Sequence, residues 1–444
     1  MLISKNKKHQ YLFFFILTIY TIFNGGNSNI SIQINFILVS LLFLFCLKDK
    51  NYKLHFNIFC KKSKIPIVFY FLFLSYLIFQ IIPLPIEVLK FFSFEKFNII
   101  KKLNFNTSLS AISLSPTNSF FQFLNFVTLF ISVLIIKMIF YTERHQYRFY
   151  LFLSFFGAII SFFAVVLYLN GNPDLFFLKK NFYKDSSTGF FTNRTVFSIF
   201  LLFCFIASLQ YLKKENFKKN NDNFFIKVYT RLAIIFITIG IVTSFSRIGN
   251  FLFLITLLFY FIETFYLDKT KNRSFKYIIL LIFLFDVFII GYYFGASELL
   301  NRFLFLNEEL VLTISKDQNF TRLDIINFGF RSFKDYYIFG YGTGGFETLF
   351  QLNFLDSGNK FANHAHGDLV EFVGEFGLVG SFLILVVILI FFLKKEFISF
   401  VNILLTSYLI IILFFDFSFH IPLIQLLFIN FFLLNKKSAH LKKF

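Results

Sequence analysis

Charged residues are scarce in this sequence. Only 15% of its 444 residues are Asp, Glu, Lys or Arg, whereas 57% are apolar and 80 are Phe. A water-soluble domain needs a polar shell, and there are too few polar side chains here to make one. Apolar runs long enough to cross a bilayer recur from end to end. The composition therefore excludes an ordinary soluble protein and predicts an integral membrane protein.

The residues that usually hold metals are also scarce or badly spaced. The three cysteines, Cys46, Cys60 and Cys204, lie in or beside apolar runs and are too far apart for a zinc site or a disulfide framework. No Asp-x-Asp pair occurs, so the metal-diphosphate clamp of sugar-nucleotide transferases is missing. No other group of His and carboxylates has metal-ligand spacing along the chain. We expect neither a metal nor another cofactor.

The sequence is nevertheless strongly basic, with a formal net charge of +19. Such a charge can indicate nucleic-acid binding, but here the Lys and Arg residues lie between apolar runs rather than on one soluble face. This distribution is typical of charges that fix the orientation of membrane spans.

The apolar runs predict an all-α protein with about twelve transmembrane helices. The predicted spans are 11–23, 30–47, 66–83, 120–140, 149–169, 195–212, 230–245, 250–267, 277–296, 377–393, 397–415 and 420–434. The first resembles a signal peptide, but it has no small-residue cleavage site, so a retained helix is favoured. No repeat or linker divides the chain.

The distribution of Lys and Arg sets the orientation of these spans. If the N-terminus is cytoplasmic, most basic residues fall on the cytoplasmic side, and the short connections on the opposite side carry only Arg247. Both termini are therefore predicted to be cytoplasmic. Three long loops, at about 84–119, 170–194 and 297–376, then face outward, and only the last is long enough to form a small water-exposed subdomain.

The last long loop ends in a histidine pair, His364 and His366. Asp368 followed by Glu371 is a helix-start signal, so a helix should begin just after His366. Its free amides favour an anion, and its positive end favours a neutral imidazole that can accept a proton. A bound diphosphate would have the opposite effect on the imidazole. A histidine that only caps its own helix would fit the same spacing.

The new helix carries two further patterns. Gly374, Gly377 and Gly380 recur every three residues and favour close packing of a neighbouring helix. Glu371 and Glu375 share another face, where they could orient the histidine or an acceptor. A solvated helix end is the alternative that we favour for these two glutamates.

Arginine is rare here, and four of the arginines lie at outer mouths of spans or in the large loop beside helical segments, Arg331 among them. Arg194 and Arg247 lie at outer mouths of spans, and Arg322 lies in the large loop beside a helical segment. Guanidinium binds phosphate oxygens bidentately and keeps its charge, so these residues are candidates for phosphate binding. Snorkelling to lipid head groups is the alternative for Arg247.

A glycine-rich segment at 340–345 contains the pattern Gly-x-Gly-x-x-Gly. The dinucleotide-binding interpretation is rejected, because it needs a βαβ unit in a larger sheet and the loop has no room for one. Two interpretations of this segment stay open. It could be a turn whose backbone amides face an anion, or a plain turn without a ligand.

Taken in order, these motifs resemble the O-antigen ligase family. The family's motif of His, one polar residue, nine residues and Gly-x-x-Gly reads here as His366, Gly367, residues 368–376, Gly377 and Gly380, with Gly367 in place of the usual Asn, Ser or Gln. Further similar segments are 80–85, 189–194, 246–249, 322–346 and 416–422.

The resemblance implies a GT-C-like membrane glycosyltransferase in a bacterial inner membrane, with its active site on the periplasmic face. It implies a donor glycan on polyprenyl diphosphate and an acceptor hydroxyl on lipid A–core or a similar glycan. His366 would be catalytic and would activate that hydroxyl, and the substrate-binding residues would be Arg247, Arg322, Arg194 and His364. No metal or nucleic acid would take part.

The same resemblance divides the chain into three segments. Residues 1–188 hold N-terminal helices, 189–393 form the ligase-like core with the periplasmic loop 297–376, and 394–444 hold the last helices and a basic cytoplasmic tail.

Two other functions remain open. An O-antigen or exopolysaccharide polymerase belongs to the same superfamily, and its Arg-x10-Gly pattern occurs here from Arg331 to Gly342, although such a match arises easily by chance. A polysaccharide or lipid transporter is the more distant alternative, because transporters tend to have repeats and charged or broken helices in mid-membrane. Here only Asp286 lies deep in a predicted span.

Overall fold

The fold is described by a computed structural model. It describes residues 2–104, 107–175, 178–180, 183–216, 224–267, 277, 280–281, 312–315, 318–320, 322–354, 362–392, 394 and 397–435. Within these ranges the chain is predominantly helical, as the apolar runs predict. Most of the predicted span 277–296 and all of residues 297–311 lie outside the described residues.

The described helices follow the predicted spans closely in the first part of the chain. They are α1 (Leu2–Ile22), α2 (Asn29–Leu47), α3 (Lys50–Lys62), α4 (Lys64–Ile81), α5 (Ile86–Phe92), α6 (Phe94–Lys102), α7 (Pro116–Ile139), α8 (Glu143–Leu169), α9 (Arg194–Asn216), α10 (Phe224–Thr243) and α11 (Arg247–Ile262). A π-helical turn, Glu263–Leu267, continues α11.

The second part of the chain begins with shorter elements. They are a hairpin of β3 (Leu312–Ser315) and β4 (Gln318–Phe320), then α12 (Arg322–Phe333) and α13 (Phe346–Asn353). The last helices are α14 (Asp368–Phe392), α15 (Phe400–Phe415) and α16 (Pro422–Leu434), with a 3-10 turn, Ser418–His420, between the final two.

Eight of the described helices are long and apolar enough to cross a membrane. They are α2, α4, α7, α8, α9, α10, α11 and α14, whereas α15 and α16 are apolar but shorter. This supports an all-α membrane protein, while the number of spans stays a prediction.

Helix α9 forms the centre of the bundle. Its apolar side chains are buried on every side, including Phe197, Leu201 and Phe205 at 0% exposure, and it packs against α8, α10, α11 and α16. A helix that is hydrophobic all round is stable only when other helices surround it. Close approach depends on small residues, since a Cβ at Gly157 of α8 would lie 2.4 Å from Cys204 Cβ.

Two of the predicted outer loops contain secondary structure. The loop at 84–119 holds α5, α6 and a two-residue antiparallel pairing of Leu84–Pro85 (β1) with Leu109–Ser110 (β2). Lys96 of α6 is buried and donates hydrogen bonds to the carbonyls of Ala111 (2.7 Å) and Ser113 (2.5 Å). Burial lowers the pKa of Lys96 to about 8.

The described part of the loop at 297–376 has a small core of its own. Ile325 of α12 packs with Tyr341, Phe346 and Phe350 in a cluster separate from the main bundle core. Helix α12 lies against α14, with Gly329 close to Val370. This part of the loop is therefore a packed unit that covers the start of α14.

Candidate active site

Helix α14 begins at Asp368, as the sequence predicts from the spacing of Asp368 and Glu371. His366 lies just before it in the left-handed backbone region, with φ at 58°. Its ring packs edge-on against Phe417, with ring centroids 5.5 Å apart. The Asp368 amide donates to the Asp416 carbonyl at 2.9 Å, which joins the start of α14 to the segment before α16.

Three carboxylates lie on one face of the first two turns of α14. Asp368, Glu371 and Glu375 are 0%, 2% and 2% exposed, and their spacing of three and then four residues puts them on the same side of a helix. The prediction that Glu371 and Glu375 belong to a solvated helix end is wrong. The Ser418–His420 turn and the 340–345 segment cover this face.

His420 lies among these carboxylates. Its Nδ1 bonds to Asp368, and its Nε2 lies 3.5 Å from Glu371 Oε1 and 3.8 Å from Glu375 Oε2. Burial alone would lower its pKa, but Glu371 and Asp368 outweigh that effect and raise the pKa of His420 well above its ordinary value. The ring stacks on Phe372 with centroids 4.0 Å apart.

His364 forms a second histidine–carboxylate pair in the same cluster. Its Nδ1 shares a 2.9 Å hydrogen bond with Glu371 Oε1, while Glu371 Oε2 accepts a hydrogen bond from the Ala365 amide at 2.7 Å. The ring stacks on Phe417 with centroids 4.7 Å apart. The His364 side chain is 25% exposed, while its carboxylate partner is buried.

The glycine-rich segment at 340–345 contacts the same helix. The Gly344 amide donates to Glu375 Oε1 at 2.6 Å, and the Gly342 amide donates to the Glu375 carbonyl at 3.2 Å. The segment forms a turn with positive φ at Gly340, Gly342 and Gly344, outside any βαβ unit. The anion that the Gly344 amide faces is therefore a carboxylate of this chain.

The three glycines of α14 are closely packed, but only Gly380 meets a neighbouring helix, as the sequence predicts for all three. A Cβ at Gly374 would lie 2.6 Å from the Tyr341 ring, and a Cβ at Gly380 would lie 2.6 Å from the Tyr76 ring of α4. Gly377 adopts φ 63° and ψ −173°, which kinks α14 between its carboxylate-bearing turns and its apolar length.

Within the part of the chain that the structure describes, one group of side chains has a geometry that could hold a metal ion. His364, Glu371 and His420 can each offer a ligand atom, and these atoms lie within 4.8 Å of one another. Sequence spacing could not show this group, because His420 lies far along the chain from the other two. The same three atoms also fit a network of hydrogen bonds and charge pairs without an ion.

Two predicted phosphate-binding arginines begin neighbouring helices. Arg194 is the first residue of α9 and Arg247 the first of α11. The Ser246 hydroxyl caps α11 by accepting from the Gly249 amide and donates to Thr195 Oγ1 at 3.1 Å, which ties the two helix starts together. The Arg194 guanidinium also lies over the Tyr183 ring, 4.9 Å from its centroid.

Backbone contacts place these arginines at the same end of the bundle as the histidines. Helix α9 contacts the 3-10 turn that carries His420. Gly25 bridges them, since a Cβ there would meet both Ile421 and Phe191. Arg322 begins α12 one turn before Ile326, which lies beside Gly367; the Arg322 side chain is outside the described residues.

An apolar cavity of about 380 Å³ opens beside the buried carboxylates. It is formed by residues of α4, α7, α14, α15 and α16, among them Tyr70, Phe126 and Phe428. Phe372 lines the cavity and also stacks on His420, so the cavity reaches the site from the apolar part of the bundle.

Residues 232–385 match the family model described as O-antigen ligase. The chain contains a domain of the O-antigen ligase family. The match covers about a third of the chain and includes Arg247, Arg322, His364 and His366. It supports a ligase- or polymerase-type enzyme of lipopolysaccharide biosynthesis that acts on glycans and lipid-linked substrates in a membrane. A comparison with curated proteins gave no match.

Sequence reasoning missed two members of this buried histidine–carboxylate cluster. It noted 416–422 as a family-like segment but gave His420 no role, and it treated Asp368 only as a helix-start residue. His420 also lies outside the matched residues 232–385. The pairing of His420 with Asp368 depends on how the end of α15 folds back onto α14, which local sequence does not specify.

Proposed function

We propose that the protein is a ligase-type glycosyltransferase that moves a glycan from polyprenyl diphosphate to an acceptor hydroxyl on lipid A–core or a similar glycan. The observation that carries the proposal is the histidine pair at the start of α14, inside the matched domain. His364 there is backed by a buried carboxylate and is partly exposed. This arrangement suits proton removal from a hydroxyl next to a bound anion.

The proposed roles follow the chemistry of each side chain. His366 is a catalytic residue that contacts the acceptor, and His364 contacts substrate beside it. Arg247, Arg322 and Arg194 bind the diphosphate, whose negative charge grows as the glycosyl bond breaks. Transfer then needs no metal, because guanidinium groups and helix N-termini stabilise the leaving group.

The apolar cavity supports a lipid-linked donor. A polyprenyl chain is a branched hydrocarbon without polar groups, and burying each CH₂ stabilises binding by about 0.8 kcal/mol. A chain lying among Tyr70, Phe126 and Phe428 would leave its diphosphate end near the site. A free sugar nucleotide would not use this cavity.

The proposed location is the bacterial inner membrane, with both termini cytoplasmic and the site periplasmic. The distribution of Lys and Arg in the sequence supports this orientation. In the proposed organisation, helices of 1–188 and 394–444 flank a GT-C-like core of 189–393, which contains the matched residues 232–385.

The proposal is tested by complementing a deletion strain with His366→Ala. Surface glycan and lipid-linked glycan are both quantified, and membrane expression is checked by immunoblot. We expect surface glycan to be lost and lipid-linked donor to accumulate at normal expression. The matched control is His55→Ala, in α3 and away from the site, which should complement fully.

Three outcomes would contradict the proposal. Full activity of His366→Ala would remove the catalytic role of this residue. Loss of long chains, with single units still attached to the acceptor, would indicate a polymerase instead. Failure of lipid-linked glycan to reach the outer face of the membrane would indicate a transporter.

A further inference from the structure

Four buried or half-buried groups form a continuous chain at the start of α14. His364 Nδ1 contacts Glu371 Oε1 at 2.9 Å, and the same oxygen lies 3.5 Å from His420 Nε2. His420 Nδ1 then bonds to Asp368, whose other oxygen accepts from the Phe419 amide at 2.8 Å. Histidine and carboxylate therefore alternate from the exposed side of the site to its buried end.

Exposure differs along this chain. His364 is 25% exposed, while His420, Glu371 and Asp368 are 6%, 2% and 0% exposed. An incoming hydroxyl can therefore contact only the His364 end. The three buried members fix the geometry behind it, much as a buried carboxylate fixes the tautomer of a catalytic histidine in hydrolases.

We propose that His364 is the general base of the transfer reaction and that Glu371, His420 and Asp368 are its positioning residues. The proposal rests on the glycosyl transfer proposed above and leaves His366 to orient the acceptor. Glu371 accepts the Nδ1 proton of His364, which leaves the His364 Nε2 lone pair free to take a proton.

The proposed step balances as follows. The acceptor hydroxyl gives its proton to His364 Nε2 while its oxygen bonds to the anomeric carbon of the donor. The bond from that carbon to the diphosphate oxygen breaks, and its electron pair leaves with polyprenyl diphosphate. His364 becomes an imidazolium that Glu371 stabilises, and it later loses the proton to water.

The buried charges give His420 a separate part in this arrangement. Asp368, Glu371 and Glu375 are buried on one face of α14. His420 lies between Asp368 on one nitrogen and Glu371 and Glu375 on the other. These contacts hold the Glu371 carboxylate where it meets His364.

The test compares single and double variants of the full-length protein in detergent. Membrane extracts of the deletion strain, which hold the accumulated lipid-linked glycan, supply the donor, and the initial rate of transfer to purified acceptor is measured. His364→Gln should lower the rate about 100-fold or more at unchanged donor KM. Glu371→Gln should lower it less, and the double variant should be no slower than His364→Gln.

A merely structural role predicts a different pattern. If Glu371 only holds the fold, its effect multiplies with that of His364→Gln, and that result overturns the proposal. Glu347→Gln, in the first turn of α13, is the matched control and should keep the full rate. His364 is half-buried, so His364→Gln is expected to fold even if Glu371→Gln proves unstable. Full activity of His364→Gln alone also overturns the proposal.

A bound metal ion is the other outcome that overturns it. One zinc ion per purified chain, removed by a chelator together with activity and absent from His420→Gln, would make the three donor atoms a metal site. The proposed function is judged separately. If His366→Ala blocks transfer while His364→Gln does not, only the assignment of the base fails; if neither matters, the active site itself is misplaced.

Discussion

At the residue scale, the site depends on side chains whose environment reverses what their sequence suggests. Glu371 and Glu375 are polar residues near a helix start, which usually means solvent. In the structure they are buried, and backbone amides of Ala365 and Gly344 donate to them. Buried carboxylates need such partners, because an unpaired buried charge is strongly destabilising.

Gly377 is the residue whose backbone most clearly requires glycine. Its φ of 63° and ψ of −173° lie in a region that side chains avoid, and a Cβ would lie 2.4 Å from both Gly340 N and Ile338 O. Backbone strain at an alanine in this conformation should cost about 1–3 kcal/mol. Because of the added steric clash, we expect Gly377→Ala to lower the apparent melting temperature in detergent by more than this strain explains.

The control for this prediction is Gly171→Ala. Gly171 also has a positive φ, at 78°, but a Cβ there would meet no atom within 4 Å. Gly171→Ala should therefore lower the melting temperature less than Gly377→Ala, because it adds backbone strain without a steric clash. Equal melting temperatures of the two variants would contradict the view that the 338–342 segment is packed tightly against the kink of α14.

At the element scale, helix starts organise the proposed diphosphate site. Helices α9 and α11 each begin with an arginine, and the Thr195–Ser246 hydrogen bond sets one start against the other. A helix N-terminus presents free amides and a partial positive charge, which adds to the charge of each arginine.

Ser246→Ala tests the cap of α11. Losing the hydroxyl should cost about 1 kcal/mol of helix stability, and it also removes the bond to Thr195. If Arg247 binds the diphosphate, transfer should fall several-fold more than stability explains, with a raised KM for the donor. Initial rates and melting temperatures are measured on the same preparations.

Ser399→Ala provides the matched comparison. Ser399 caps α15 by the same geometry, accepting from the Asn402 amide, but that helix carries none of the proposed diphosphate ligands. Ser399→Ala should lose about as much stability as Ser246→Ala, and the KM for the donor should stay unchanged. A donor KM that rises equally in both variants would argue against a local role for the start of α11.

At the scale of the whole molecule, the orientation in the membrane decides which substrates can reach the site. The exposed Asn363 lies beside His364, and the exposed Asn51 lies near the start of α3. In a cysteine-free background, Asn363→Cys should react with a membrane-impermeant maleimide in intact cells whose outer membrane is made permeable. Asn51→Cys should react only after the inner membrane is disrupted.

The reverse labelling pattern would place the site in the cytoplasm and contradict the proposed orientation. The native cysteines Cys46, Cys60 and Cys204 must be replaced first, because Cys60 is only partly buried. Cys204 lies in the central helix α9 and packs closely against Gly157. Alanine is the best replacement there, because it is smaller than cysteine and keeps the Cβ.

The sequence by itself determined the class of the protein and the position of most helices. Apolar length fixes a membrane helix because the bilayer core leaves few other ways to satisfy the backbone. The capping pattern of Asp368 and Glu371 likewise predicted where α14 begins. The sequence also identified candidate site residues, because the chemistry of an imidazole or a guanidinium depends on the residue type itself. These candidates are His364, His366, Arg194, Arg247 and Arg322.

Only the tertiary structure decided which of these groups meet. The pairing of His364 with Glu371, the burial of Glu375 and the entry of His420 from the turn before α16 depend on how α14, α15 and the 340–345 segment pack. Such contacts join residues far apart in sequence, and helical periodicity carries no information about them. The polar start of α14 therefore looks solvent-exposed from the sequence, and only the packing of the elements that cover it shows that it is buried.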